Sequence, residues 1–220
     1  MDWTAVWLTL RLAATTALIL LLVGLPLAYW LATTRWRGRF IVEAIVALPI
    51  VLPPTVLGFY LLMALGPRGP VGRVVQALTG ASLPFTFAAI LLGSVLFNLP
   101  FAVRPFTSAF AAVDRRLVEA SWCLGVSRLG TFRRVMLPLS WTGVLTGIVL
   151  SFAHTVGEFG VVLMLGGNRP GVTRTVSLVI YDEVQAMNYA AAHATSLALV
   201  GFAFLVLCIT YALQRRVLPL

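Results

Sequence analysis

The chain contains no lysine; all 16 of its cationic side chains are arginine. A phosphate-binding P-loop needs G-x-x-x-x-G-K-[ST], whose lysine reaches the phosphates, so ATP hydrolysis by this chain is excluded. Acidic residues number only 7 and histidines 2. Too few ionisable groups are left to converge on a catalytic centre. An intramembrane metalloprotease would need H-E-x-x-H, whereas this chain has His154-x-x-x-Glu158, and its other histidine, His193, has no motif around it. The 2 cysteines, Cys123 and Cys208, fall in a polar loop and an apolar run respectively and cannot easily meet. Neither has a histidine beside it, which argues against a metal site. Internal repeats, low-complexity tracts and soluble linkers are absent, so residues 1–220 read as one domain.

What the chain has in excess is apolar length. It is 60% hydrophobic and 10% charged, with a mean hydropathy of +0.98, far from a soluble average. Uncharged runs cover 12–34, 44–67, 74–103, 135–157 and 184–214, each at or beyond the roughly 20 residues that carry a helix across a bilayer. The expectation is an all-α integral membrane protein with five spans near 4–31, 42–65, 83–103, 139–163 and 190–213. Long unbroken apolar runs exclude the alternating pattern of a membrane barrel. The N-terminal segment lacks a basic start, and its apolar run is longer than the roughly 7–15 residues of a signal-peptide core; it reads as the first span. Trp3 and Trp7 suit an interfacial belt.

A net charge of +9 invites a nucleic-acid reading, but the distribution rejects it. Arg35, Arg37 and Arg39 lie in the first loop. Arg104, Arg115, Arg116, Arg128, Arg133 and Arg134 lie in or beside the third, and Arg215 and Arg216 end the chain. The second and fourth loops hold Arg68, Arg73, Arg169 and Arg174. Enrichment of alternate loops is the positive-inside pattern. It places the N-terminus outside and the C-terminus in the cytoplasm, as an odd number of spans requires. Arg11, just inside the first span, has two readings: a side chain snorkelling to the headgroups, or a pathway cation.

Two spans are interrupted. Pro49, Pro53 and Pro54 fall within the second; each removes an N–H donor and clashes with the carbonyl four residues back. Either this is a packing kink, or the bare backbone near Pro53, Pro54 and Thr55 lines the translocation path, since lipid does not tolerate it. In the fourth span His154 and Glu158 share a helix face and are placed to pair. Gly157 and Glu158 are read either as a structural helix end near the outer surface or as part of a gate. Gly167, Asn168 and Arg169 follow in a tight turn, a plain loop or a docking point for an external partner. Residues 172–188 are too polar for a span and read as a short outer helix with Asp182 and Glu183 solvated.

The third loop is the most specific segment. It reads E-A-S-x-x-x-G-x(9)-V-x-L-P over Glu119, Ala120, Ser121, Gly125, Val135, Leu137 and Pro138. One short helix is expected over 106–124, ended by Gly125 as a left-handed residue. A second runs from Ser127, its cap, to Met136, with Pro138 in the first turn of the next span. Two short helices and a sharp turn make a compact knob, and small residues at Ala120 and Ser121 permit close approach of a partner. The segment resembles the E-A-A-x(3)-G-x(9)-I-x-L-P coupling loop of ABC-importer permeases. It departs from that pattern at Ser121 and Val135. With Leu48–Gly58, Ser151–Gly160 and Gly167–Thr175, the resemblance extends over nearly the whole chain to the molybdate ABC-transporter permeases; permeases for sulfate or tungstate share parts of these motifs.

That resemblance implies a subunit which does no chemistry itself. It implies a homodimer, two cytoplasmic ATPases that bind ATP–Mg, and a periplasmic or surface-tethered oxyanion-binding protein, with no cofactor held by this chain. Glu119, Ala120, Ser121, Gly125, Leu137 and Pro138 would then contact the ATPase. The mechanism implied is alternating access.

Overall fold

The computed structural model describes the backbone of residues 2–217 and side chains as far as residue 212. The side chains of Arg215 and Arg216, used above for orientation, lie outside the described residues. No strand occurs among the described residues.

Helix α1 spans Trp3–Thr33 and is capped by Asp2, whose Oδ1 accepts from the N–H groups of Thr4 and Ala5 at 3.0 and 3.1 Å. Helices α2 (Arg39–Val51) and α3 (Pro54–Leu65) follow, then α4 (Pro70–Thr79) and the long α5 (Phe87–Ala111). The knob comprises α6 (Arg115–Cys123), α7 (Arg128–Thr131), a π-helical stretch at Phe132–Met136, and α8 (Leu137–Leu139). Helix α9 (Trp141–Val156) leads to α10 (Gly160–Gly166), α11 (Val176–Gln185) and α12 (Tyr189–Val217).

Three helices, α1, α5 and α12, are individually long and apolar enough to cross a membrane; the count reaches five when two bent pairs are each taken as one span. The expected second span is therefore not one continuous helix. Its halves, α2 and α3, meet at 112°. Proline pushes the residue before it out of the helical region. Leu52 and Pro53 both precede prolines, and both are extended, with ψ 137° and 135°. Pro54 then opens α3 at a position where its missing donor costs nothing. The expected fourth span is divided as well. A 74° bend separates the Arg128–Leu139 stretch from α9, and α9 stops at Val156 before α10 resumes at Gly160.

Helices α1, α5 and α9 pack on one another, α2 lies on α5, and α3 lies on α10. Among the described residues the core forms two large apolar clusters and a smaller one at Ala5, Val176 and Val179. Of the large two, one contains Leu12, Ile90, Phe97 and Leu165; the other contains Leu20, Val103, Phe106 and Val144. Helix α5 runs through both, which is why it outlasts Pro100 and Pro105. Phe106 and Phe110 are buried beyond the second proline, and the Phe110 ring packs against Tyr29 and Phe132. The helix expected over 106–124 is thus two elements, with the break at 112–114, where Asp114 Oδ1 accepts from Arg116 N–H at 2.9 Å and starts α6.

The two interruptions touch. A Cβ on Gly160 would stand 2.9 Å from Pro54 Cβ and 3.3 Å from the Thr55 nitrogen. One turn further along, a Cβ on Gly58 would lie 2.8 Å from Met164 Cβ. Glycine at both positions lets α3 and α10 approach backbone to backbone. Gly160→Val should therefore overpack this contact, at about 1–3 kcal/mol. At roughly 2–4 °C per kcal/mol for a chain of this size, its melting midpoint in detergent should fall by several degrees; an unchanged midpoint would mean that the contact is loose.

Candidate functional site

Three places combine irregular backbone with polar side chains: the helix breaks, the turn after α10, and the knob. Near the breaks, Thr55, Pro53, Pro54 and Gly157 are exposed on the chain's surface, whereas Glu158 is only 4% exposed. Its carboxylate turns away from Pro54, into the bundle. There Asn98 Nδ2 donates to Glu158 Oε2 at 3.1 Å and to the Ser94 carbonyl at 2.8 Å. Asn98 Oδ1 lies 2.8 Å from His154 Nδ1. An amide has two N–H donors, which these two contacts use, so Oδ1 must accept and the Nδ1-protonated tautomer of His154 is the one that fits. The His154 ring also stacks on Phe101, with centroids 4.1 Å apart.

The expected direct pair between His154 and Glu158 is not formed, because α9 ends at Val156 and Glu158 leaves the helical face. Asn98 bridges them instead. Asn98 sits between the two apolar clusters, about 16 Å along a helix of 25 residues at roughly 1.5 Å per residue. Glu158 thus points at the middle of α5. Among the described residues it has no cationic partner within ion-pair distance. Buried Ser94 lies against the carboxyl group, yet neither its hydroxyl nor Glu158 Oε1 makes a well-formed hydrogen bond. Burial of a carboxyl group without a counter-charge is costly, so its amide contact is all the more important. The Glu158 carbonyl accepts from Ser177 Oγ at 2.6 Å, tying the break to α11.

At the turn after α10, Gly167 and Asn168 are both left-handed, with φ of 62° and 57°. Asn168 Nδ2 lies 2.9 Å from both carboxylate oxygens of Asp182, and Arg174 Nη2 lies 2.6 Å from Asp182 Oδ2. Asp182 is therefore half-buried and paired, not solvated as expected. Arg169 is exposed and donates from Nη1 to the Phe85 carbonyl at 2.9 Å. Thr173 Oγ1 donates to the Gly166 carbonyl at 2.7 Å and accepts from Arg169 N–H at 3.0 Å. The turn is thus held rigidly between α10, α11 and the segment leading into α5. Arg11 is exposed, with its guanidinium 4.4 Å from the Phe87 ring centroid, a cation–π contact.

In the knob, Gly125 has φ 77° and ends the first short helix as expected, and Ser127 Oγ accepts from Gly130 N–H at 3.2 Å. The buried hydroxyls of Ser121 and Thr131 are 2.7 Å apart and join the two helices. Ser121 therefore faces inward. Glu119 and Ala120 are exposed, beside the exposed apolar side chains of Leu117, Trp122, Leu124 and Leu129. Leu137 is half-buried and Pro138 exposed where the knob turns into α9. Ser140 Oγ donates to the Ala109 carbonyl at 3.1 Å, fastening that turn to α5. The cluster is apolar and 83% exposed at Leu124.

Sequence reasoning passed over Asn98, Thr131 and Ser177. Asn98 carried a signal, as a lone amide in the apolar run 87–103, since intramembrane polar groups tend to face the bundle interior. Thr131 and Ser177 carried none, because their partners lie in other elements.

A helical bundle of broken spans with a protruding two-helix knob is a transporter-permease architecture. Residues 8–219 match the model of a family described as binding-protein-dependent transport system inner membrane component, and the chain belongs to that family. It is 51% identical to the molybdenum transport system permease protein ModB of Azotobacter vinelandii, over 97% of this chain and 95% of that one. The fold is shared with a bacterial ABC transporter involved in the import of the acidic polysaccharide alginate, at a TM-score of 0.80 and 19% identity, over 97% of this chain and 78% of that one. It is also shared with the inward-facing MetNI methionine ABC transporter, at a TM-score of 0.75 and 20% identity, over 97% and 94% of the two chains.

The turn after α10 yields a direct test. Asp182→Ala removes the acceptor shared by Asn168 and Arg174. Hydrogen exchange of the 166–174 amides should rise at least tenfold, while α5 amides stay unchanged. Unchanged exchange in the turn would show that the ion pair does not hold it.

Proposed function

We propose that this chain, as a single permease domain, is the membrane subunit of an ATP-driven molybdate importer. The observation that carries this reading is its 51% identity, over nearly full length, to a permease named for molybdenum transport. Two copies form the passage, since five crossings enclose a path poorly alone and a twofold assembly is the commonest closed one. The N-terminus is outside and the C-terminus cytoplasmic, an orientation supported by the arginine distribution.

The knob seats in a cleft of a separate ATPase, which binds ATP–Mg. Glu119 and Ala120 face that subunit together with the exposed leucines, while Ser121 and Gly125 keep the shape of the knob. Leu137 and Pro138 carry its motion into α9. When ATP closes the ATPase pair, the knobs approach and α9 tilts; α10 then moves α3, against which it is packed. Pro53, Pro54, Thr55, Gly157 and Glu158 form the gate region. A periplasmic or surface-tethered binding protein docks on the rigid turn at Gly167, Asn168 and Arg169 and releases its oxyanion into the opened cavity. Hydrolysis resets the cavity inward. Specificity resides in the binding protein, because a tight fixed anion site in the passage would oppose release.

The test is reconstitution in liposomes with the ATPase and ATP enclosed and a molybdate-binding protein outside. Labelled molybdate should accumulate, and sulfate in excess should compete poorly. Glu119→Lys should reduce the uptake rate more than tenfold while the protein still inserts. Uptake of sulfate or tungstate in place of molybdate would overturn the substrate. Uptake by this chain alone, or normal uptake by Glu119→Lys, would overturn the coupled permease reading.

A further inference from the structure

The knob and the gate lie at opposite ends of α9, and a motion delivered at one end reaches the other only if the break beyond Val156 transmits it. Loose backbone at 157–159 would absorb that motion. The structure places one side chain across the break. Asn98, fully buried at mid-length of α5, accepts from His154 on the last turn of α9 and donates to Glu158 beyond it. Its remaining N–H is held by the Ser94 carbonyl, so the amide has one orientation and no spare group.

We propose that Asn98 is a positioning residue for transport, a clasp that fixes the end of α9 and the start of the break to α5 so that movement of the knob reaches the Pro54–Gly160 contact. The inference rests on the permease reading above and adds to it a residue that no sequence motif singles out. Its neighbours support the role. Phe97 and Phe101 flank the His154 ring at 5.2 and 4.1 Å between centroids. Ser177 holds the Glu158 carbonyl from the other side. The break is therefore gripped from α5 and α11 while Gly157 itself stays exposed. An amide suits the task because it donates to a carboxylate and accepts from an imidazole at once, and because buried polar groups fully matched in this way specify a single arrangement. A hydroxyl offers only one donor, and a carboxyl group at position 98 would set two acidic groups against each other in a buried site, where they repel or must share a proton.

That logic gives a rescue experiment. Asn98→Asp opposes two carboxylates. The double variant Asn98→Asp with Glu158→Gln restores an amide–carboxylate pair with the roles exchanged. The readout is the reactivity of a cysteine at Gly157 towards a polar thiol reagent, in the assembled complex with its ATPase, with Cys123 and Cys208 replaced by serine. It needs no transported anion, so it is independent of the molybdate assignment. In the parent the labelling rate should change at least fivefold when a non-hydrolysable ATP analogue is added. In Asn98→Asp that response should vanish while the complex still assembles and hydrolyses ATP. The double variant should recover it, and with it uptake per ATP hydrolysed. A residue serving stability alone would restore assembly without restoring the nucleotide response. The proposal is overturned if Asn98→Asp keeps the response, or if the double variant assembles but does not regain it. Should Asn98→Asp fail to assemble, the double variant alone decides between these outcomes. Loss of molybdate uptake by the parent, with the cysteine response intact, would count against the substrate and not against the clasp.

Discussion

The close approach of two interrupted helices, α3 at Pro54 and α10 at Gly160, is the constraint on which the remaining structure depends. A continuous helix satisfies its backbone internally; an interrupted one inside a membrane must find shelter in protein or in a watery cavity. Here the two breaks meet where Gly160 approaches Pro54 and Thr55. The prolines leave α2 and α3 at 112°, and only glycine at 160 lets the second break reach the first without a steric conflict. The contact also dictates the direction of the polar groups. Because Pro54 and Thr55 occupy one side of the break, Glu158 turns to the other, where α5 must supply an acceptable partner.

That partner explains the division of the core. Two apolar clusters fill the bundle above and below Asn98, and between them sit Ser94, Asn98, His154 and Glu158, buried or half-buried at mid-length of the central helix. A polar layer of this kind gives up apolar burial for a defined geometry. In a transporter the exchange is useful, since a uniformly greasy interface would permit sliding, whereas the fully engaged Asn98 amide ties α9, the break and α5 together. The knob is stiffened by the same means on a smaller scale, through the Ser121–Thr131 contact and the left-handed Gly125.

Much of this was legible in the sequence, and the parts that were not share a cause. Local chemistry was readable: the apolar runs, the prolines that stop α2, the Gly125 turn, the Ser127 cap and a short helix within 172–188, which forms over Val176–Gln185. Errors arose wherever a side chain answers to a distant element. Helix α5 was expected to end near residue 103, but it continues because Phe106 is buried against Gly24 and Gly147 and Phe110 meets the rings of Tyr29 in α1 and Phe132 in the knob. Periodicity paired His154 with Glu158, and the break moved them apart onto Asn98. Asp182 looked solvated until the turn at Asn168 and the Arg174 side chain closed on it. The bend of the second span was foreseeable from Pro53–Pro54; its size and its meeting with Gly160 were not, since neither is a property of the segment alone.

The central claim is that these breaks belong to a passage shared by two copies and driven by nucleotide at the knob. It is tested most directly by a spin label at Thr55, exposed beside the break, in the complex of this chain with its ATPase. One label per copy reports one distance across a twofold axis. The account predicts a single well-defined distance without nucleotide and a shift of several ångströms, on the order of the lid and gate movements typical of coupled transporters, when a non-hydrolysable ATP analogue is bound. An identical distance distribution in the two states, or no dipolar coupling at all, would contradict it.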